Sequence, residues 1–480
     1  MNTYEIQPTH ENLIKTFQND AIGRNESLFN FLTLLNEMEQ CTSIALEGYW
    51  GSGKTFFVKQ TKLLIEAFNP FSKINDEERK IFVDYPQYYR GSISHFDKGA
   101  LINQVPVYYD AWANDNDDDP ILSLVLTILN EYDSEFDFKE TTLVDDSFIT
   151  VVNELLSFSP IKFKIPKLTK TEDLLSVTRK NKNIHELVEK LLNNLLEERG
   201  ERLVIFVDEL DRCRPDYAVR FLERIKHYFN NERITFVFSV NIEQLQHTVK
   251  NYYGVGFDAS RYLDRFFDLR LSLPEADLKK FYKLVEFESN STWYSSINIA
   301  VMNTFHFELR EISKYLMQVK MATWKNWVNL LGGYHCSHEG IKYATMIFAP
   351  TIIALRIYDS EKYRRFLNGE DSSPLIDVFN NCPDAKFILE RFLRDDEDFG
   401  AVVNYNQGQE SKKSVSIDTV LNRLYDLIIK DEFQKGMPHH NIGKIEFYSS
   451  DRDELLNIIS LISDSTYLDI KNGHPNEEKE

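Results

Sequence analysis

The segment EGYWGSGKTFF at Glu47–Phe57 places a lysine, a hydroxyl and closely spaced glycines in an order suited to gripping phosphate. Gly48, Gly53, Lys54 and Thr55 satisfy G-x-x-x-x-G-K-[ST]. Gly51, Ser52 and Gly53 let the backbone curl so that successive N–H groups face phosphate oxygens. A helix beginning near Lys54 adds the positive end of its dipole. In this arrangement Lys54 reaches the β- and γ-phosphates and the Thr55 hydroxyl coordinates Mg²⁺. A second segment, RLVIFVDELDRCRP at Arg202–Pro215, runs four apolar residues, Val204–Val207, into Asp208 and Glu209. Asp208 is expected to hold the Mg²⁺ hydration shell, and Glu209 to orient and deprotonate the attacking water. The two segments predict binding of ATP with Mg²⁺, and its hydrolysis. The nucleotide-binding set is Gly48, Trp50, Gly51, Ser52, Gly53, Lys54, Thr55 and Phe56, with Thr55 and Asp208 as metal ligands.

Such residues need a scaffold that delivers them to one place. Five short apolar, β-branched runs stand among longer helical stretches: Ser43–Glu47, Val105–Ala111, Leu203–Asp208, Ile234–Val240 and Phe267–Leu273. Near-continuous apolar runs of this length suit strands buried on both faces of a parallel sheet. Helical periodicity between them, as in Tyr217–Phe229 and Ile242–Tyr253, predicts an α/β layered domain. The spacing between the second and third runs exceeds what one crossover helix requires. The excess, about 114–200, reads as a helical insertion that includes Ile184–Glu198. After Pro274 helical patterns dominate, around Phe305–Thr323 and Val415–Glu432, and the polar end NGHPNEEKE is expected to fray. The domains expected are a P-loop domain over 1–275, a helical lid over 276–330 and a helical C-terminal domain over 331–480.

Composition narrows the partners. The formal net charge of −20 does not draw the chain to nucleic acid or anionic lipid. Nucleic-acid contact would need a local basic patch, for which Lys162, Lys164, Lys167, Lys170, Arg179, Lys180 and Lys182 are the candidate; a solvated linker is the plainer reading. Cys41, Cys213, Cys336 and Cys382 form no CxxC pair, which fits a reduced, cytoplasmic protein. The apolar run Tyr343–Leu355 contains Pro350, falls short of spanning length and reads as a buried helix or a helix–turn pair, so no membrane role is expected. His335, Cys336 and His338 lack zinc spacing, and the acidic residues of Asp115–Asp119 before Pro120 read as a helix start.

The aromatic-Trp-Gly-Ser-Gly-Lys-Thr loop, DELDRCRP and the later FDASRYLDRFFDLRLSLPE together resemble the KAP family of P-loop NTPases, in the additional-strand branch related to AAA+ and STAND ATPases. NDAIGR at Asn19–Arg24 and YDAW at Tyr109–Trp112 belong to the same resemblance, which spans about 19–323 apart from the insertion. It implies a parallel sheet in the order 5-1-4-3-2, with the P-loop strand beside the fourth strand rather than the third. It also implies roles. Asn241 falls at the sensor-1 position, with a strand-end cap as the alternative. Arg265 falls at the arginine-finger position, with Arg261 as runner-up and a surface salt bridge as the plain reading. Arg310 resembles the sensor-2 arginine of the lid, and Ile22 and Gly23 line the adenine site. Many members have two aspartates where this chain has Asp208–Glu209, which leaves Asp211 open as the base. Many also carry transmembrane helices inside the P-loop domain, where this sequence has none. The resemblance further implies a homo-oligomer and a protein effector, in a bacterial conflict or phage-exclusion setting.

Overall fold

In a computed structural model of the chain, the structure describes residues 6–85, 101–117, 119–132, 192–193, 195–229, 231–287, 293–330, 338–393, 416–432, 439–442 and 445–460. Most of the expected insertion, the whole basic stretch 162–182, His335, Cys336 and the polar C-terminal end lie outside the described residues. Two compact units emerge, 7–281 and 282–480, the latter grouped with residues 1–6.

The first unit is built on five strands: β1 (Thr42–Glu47), β2 (Gln104–Asp110), β3 (Arg202–Asp208), β4 (Ile234–Val240) and β5 (Leu269–Ser272). They pair in the order β2-β3-β4-β1-β5, and every pairing is parallel. This is the expected order read from the opposite edge. β4 lies between the strand that precedes the phosphate loop and the strand that ends in Asp208. All seven residues of β3 and all seven of β4 are buried, so the sheet must be covered on both faces.

Strand alternation sorts the side chains onto those faces. Ile44, Leu46, Val204, Phe206 and Val237 point into a core with α1 (His10–Gln18), α2 (Asn25–Asn36), α3 (Lys54–Phe68) and Phe82 of α4 (Asp76–Val83). Leu203, Ile205, Val207, Phe236 and Phe238 point into the opposite core. There they meet α5 (Pro120–Tyr132), α6 (Pro215–Tyr228), α7 (Ile242–Tyr253) and α8 (Ala259–Leu263). Pro120 and Pro215 each open a helix, where a missing N–H costs nothing. The described acidic residues before Pro120 have structural partners. Asp115 accepts from Arg214 N at 3.1 Å, Asp117 accepts from Ser123 Oγ at 2.7 Å, and Asp119 pairs with Arg224.

The second unit is largely helical. Its centre is the helix Glu339–Tyr358, packed against Trp293–Thr304, Leu309–Leu330, Ser360–Leu367, Ser373–Asn380 and Asp451–Ser460. Of the two forms expected for the apolar run, the buried helix is the one present, but it does not fall short of spanning length. It is one continuous 20-residue helix with Pro350 inside, long and apolar enough to span by length and composition. Burial of 78% of that apolar stretch within the protein accounts for its character. A two-stranded antiparallel hairpin, β6 (His439–Ile442) and β7 (Ile445–Tyr448), was not expected from the sequence. His338 is a helix cap: Nδ1 accepts from Gly340 N at 3.1 Å, and Nε2 lies 2.7 Å from the buried carboxylate of Asp451.

One turn ties the N-terminal segment of the first unit to its far end. Gly23 takes φ +75°, and a Cβ there would lie 2.5 Å from the Asp277 Cβ. The carbonyl of Ile22 accepts from Asp277 N at 2.9 Å, and Asp20 pairs with Lys280 at 2.5 Å. Gly23→Ala should therefore cost at least about 1 kcal/mol, from the left-handed backbone and the Asp277 contact together. Thermal unfolding of Gly23→Ala checks it, and an unchanged Tm would remove both the backbone strain and the Asp277 contact from the account.

Candidate active site

The carboxyl ends of parallel strands gather at one edge, and the chemistry-bearing residues leave the sheet there. β1 ends at Glu47 and runs directly into Gly48; β3 ends at Asp208, and Asn241 follows β4. In the loop, Gly51 and Gly53 take φ +89° and +93°, values that favour glycine. A Cβ at Gly48 would sit 2.8 Å from Ser52 Oγ and 3.2 Å from Lys54 Cγ, so the side chains of the loop itself crowd that position. The carbonyl side of the loop is held from within. Lys54 Nζ donates to Gly48 O at 2.7 Å and Tyr49 O at 3.1 Å, Ser52 Oγ donates to Tyr49 O at 2.8 Å, and Arg24 Nη1 donates to Ser52 O at 3.0 Å. Fixing the carbonyls in this way leaves the N–H side of the loop for anions. Burial pushes the Lys54 ammonium below its ordinary pKa, against the opposing pull of Asp211 and Asp208.

Asp208 is 1% exposed and accepts from three donors. Thr55 Oγ1 donates to Oδ2 at 2.7 Å, Tyr108 OH donates to the same oxygen at 3.0 Å, and the Glu209 N–H donates to Oδ1 at 3.0 Å. The first of these bridges the two segments singled out in the sequence. A hydroxyl and a carboxylate at hydrogen-bond distance, beside a buried lysine, form a hard-oxygen set that fits Mg²⁺. Thr55 and Asp208 would hold the ion, which would neutralise phosphate charge.

Glu209 takes φ +59° at the head of a single 3-10 turn, Leu210–Arg212. Its carboxylate pairs with Arg212 Nη1 at 3.0 Å. Burial raises its pKa, and the Arg212 guanidinium opposes the rise. Asp211, the alternative base, is buried and accepts from Trp50 Nε1 at 2.6 Å, which ties it to the phosphate loop.

The remaining residues fall in different places. The Asn241 side chain accepts from Gln244 N at 3.3 Å and caps α7. The Phe56 ring packs against the core formed with α1–α3, so its contribution at the helix start is its backbone N–H. Ile22 is buried and Gly23 packs on Asp277. Arg265 is exposed just after α8; its carbonyl accepts from Lys226 Nζ at 2.7 Å, and its side chain makes no ion pair among the described residues. Asp264 pairs instead with Arg270. Arg261 is also exposed, and its N–H donates to the Asp258 side chain at 3.1 Å. Arg310 is exposed in the first turn of Leu309–Leu330, in the second unit.

Sequence reasoning missed Tyr108, Arg24, Lys59 and Arg212. Tyr108 could have been found by counting. β2 and β3 pair Tyr108 with Phe206, on the face that Asp208 shares two residues on, while Tyr109 turns to the opposite core. Lys59, one turn after Thr55 on α3, stands 4.5 Å over the Tyr108 ring. Removing a donor to a carboxylate costs about 1.5–3 kcal/mol. Tyr108→Phe should leave the fold intact and raise the Mg²⁺ concentration needed for half-maximal ATP binding. A Mg²⁺ titration of nucleotide binding reads it, and an unchanged midpoint would show the Tyr108 bond to be idle.

A comparison with curated proteins gives no match. Among solved structures, the ORC2 protein of Aeropyrum pernix, solved as ADPNP–ADP complexes, is 12% identical with a TM-score of 0.31, covering 94% of each chain. The KAP family P-loop domain matches residues 24–331, more than half of the 480-residue chain. With the strand order and the Thr55–Asp208 bridge already established, this match assigns the chain to the KAP family of P-loop NTPases.

Proposed function

We propose that the protein is a cytoplasmic, Mg²⁺-dependent ATPase that works as a nucleotide-driven switch. The observation that carries this reading is the convergence of Lys54, Thr55, Asp208 and Glu209 at one sheet edge. Lys54 and the loop N–H groups grip the phosphates, and Thr55 with Asp208 hold the ion. Glu209, next in sequence to the metal carboxylate, takes the proton of the attacking water. Glu209 directly follows Asp208 and is only partly buried, whereas Asp211 is buried against Trp50, which supports Glu209 over Asp211 as the base. Lys54→Ala should abolish tight ATP binding, because charge-assisted phosphate contacts are each worth about 1.5–3 kcal/mol. Glu209→Gln should bind ATP normally and hydrolyse it slowly. Phosphate release and nucleotide binding, measured on both variants, check the assignment. Free turnover in Glu209→Gln with loss in Asp211→Asn would reverse the roles.

The switch reading extends to assembly. Arg265, exposed and outside any ion pair among the described residues, is proposed to act on the nucleotide of a neighbouring copy. A finger of this kind contributes on the order of 10³–10⁵ in turnover. Mixing Arg265→Ala with Lys54→Ala should restore part of the activity, since one copy supplies the site and the other the arginine. No recovery at any ratio, with full wild-type turnover when the protein is monomeric, would make Arg265 a surface residue. A bacterial anti-phage setting with a separate effector protein rests on family resemblance. Phage plating on cells carrying wild-type or Lys54→Ala protein, with and without the adjacent genes, tests it.

A further inference from the structure

Two indoles stand open to solvent beside the catalytic turn. Trp50, 46% exposed, lies in the phosphate loop, and Trp112, 51% exposed, follows β2. The Arg212 guanidinium serves both: its central carbon lies 5.7 Å from the Trp50 ring centre and 5.5 Å from that of Trp112. Aromatic faces attract and orient a planar guanidinium. That same guanidinium makes the 3.0 Å ion pair with Glu209, and both partners are mostly shielded, at 23% and 19% exposure. The backbone reinforces the arrangement, because Arg212 N donates to Glu209 O at 3.1 Å and so closes the turn between them. Trp50 is not free to drift, since its Nε1 donates to Asp211 at 2.6 Å.

We propose that Arg212 is a positioning residue for Glu209, clamped between Trp50 and Trp112 so that the phosphate loop itself sets where the base points. A glutamate has three side-chain torsions and few reasons to hold one carboxylate orientation at a half-open site. A paired guanidinium removes that freedom, and the two indoles remove the guanidinium's own. The clamp also carries information: Trp50 belongs to the loop that receives the phosphates, so a shift of that backbone is passed through Arg212 to Glu209. Arg212 also lies within the field of Lys54, whose pKa it pushes downward. The pair therefore borders the phosphate site.

The inference rests on the ATPase reading and on Glu209 as base, and one set of proteins separates the two. Arg212→Ala should keep ATP affinity and KM within about twofold while kcat falls roughly 10- to 100-fold, the cost of a misplaced catalytic group. Arg212→Lys should recover only part of the loss, because a compact ammonium does not present the planar fork that can face two rings and a carboxylate together. Should Arg212→Ala fold poorly, Trp112→Ala removes one exposed indole and should lower kcat at unchanged KM. The deciding measurement is a cycle: in a Glu209→Gln background, Arg212→Ala should cause no further loss of kcat. An equal loss in both backgrounds, or an Arg212→Ala enzyme with wild-type kcat, would overturn the positioning role and leave the ATPase reading standing. A wild-type chain that does not hydrolyse ATP overturns both.

Discussion

A carboxylate buried as deeply as Asp208 is costly unless donors surround it, and much of the site follows from meeting that cost. Three donors do so, and each comes from a different part of the chain: Thr55 from the phosphate loop, Tyr108 from β2 and the Glu209 N–H from the following turn. Satisfying one charge thus fixes the relative positions of the loop, the edge strand and the turn that begins at Glu209. The same bond that makes Asp208 tolerable sets Thr55 beside it, where both oxygens would be in reach of a divalent ion. Stability and chemistry here share their contacts, so a substitution in this group tests both at once.

Much of the first unit was legible in the sequence because two physical rules were strongly expressed there. Runs such as LVIFVD are apolar at consecutive positions, and only a strand covered on both faces uses every one of them. The glycines of EGYWGSGKT announce positive φ, which Gly51 and Gly53 take. Strand order is not a local property and came from resemblance; the pairing of Thr42 with Thr235 confirms it. Elsewhere the signal was weak for identifiable reasons. β6 and β7 are four residues each, and His439–Ile442 has one buried position, too little for a period to show. Tyr108 and Tyr109 look alike in sequence; only the pleat assigns one to Asp208 and the other to Tyr217. Arg212 sits in a motif read for its acids, and its partners Trp50 and Trp112 are distant in sequence.

The N-terminal turn shows how a segment outside the sheet can belong to the site. Arg24 reaches the Ser52 carbonyl, Gly23 packs on Asp277 and Asp20 meets Lys280. The phosphate loop is therefore braced from a stretch that also grips the chain after β5. Residues 20–24 act as a strut between the loop and the exit from the first unit, which gives the NDAIGR motif a mechanical reason to exist beside any contact with nucleotide.

The parallel pairing of β1 has a consequence for how the molecule is made. Among the described residues β1 pairs with β4 and β5 alone, so Thr42 must wait for Thr235 and Ile44 for Leu269. At ribosomal speeds of about 5–20 residues per second, that wait lasts on the order of ten to forty seconds. Throughout it, the apolar stretch Ser43–Leu46 has two unpaired edges, the condition under which nascent chains associate wrongly. Local helices such as α2 and α3 can form early and shield it, but the sheet itself closes late, as expected of a topology rich in distant contacts. The phosphate loop, though it precedes β4 and β5 in the chain, is among the last parts of the first unit to acquire its shape.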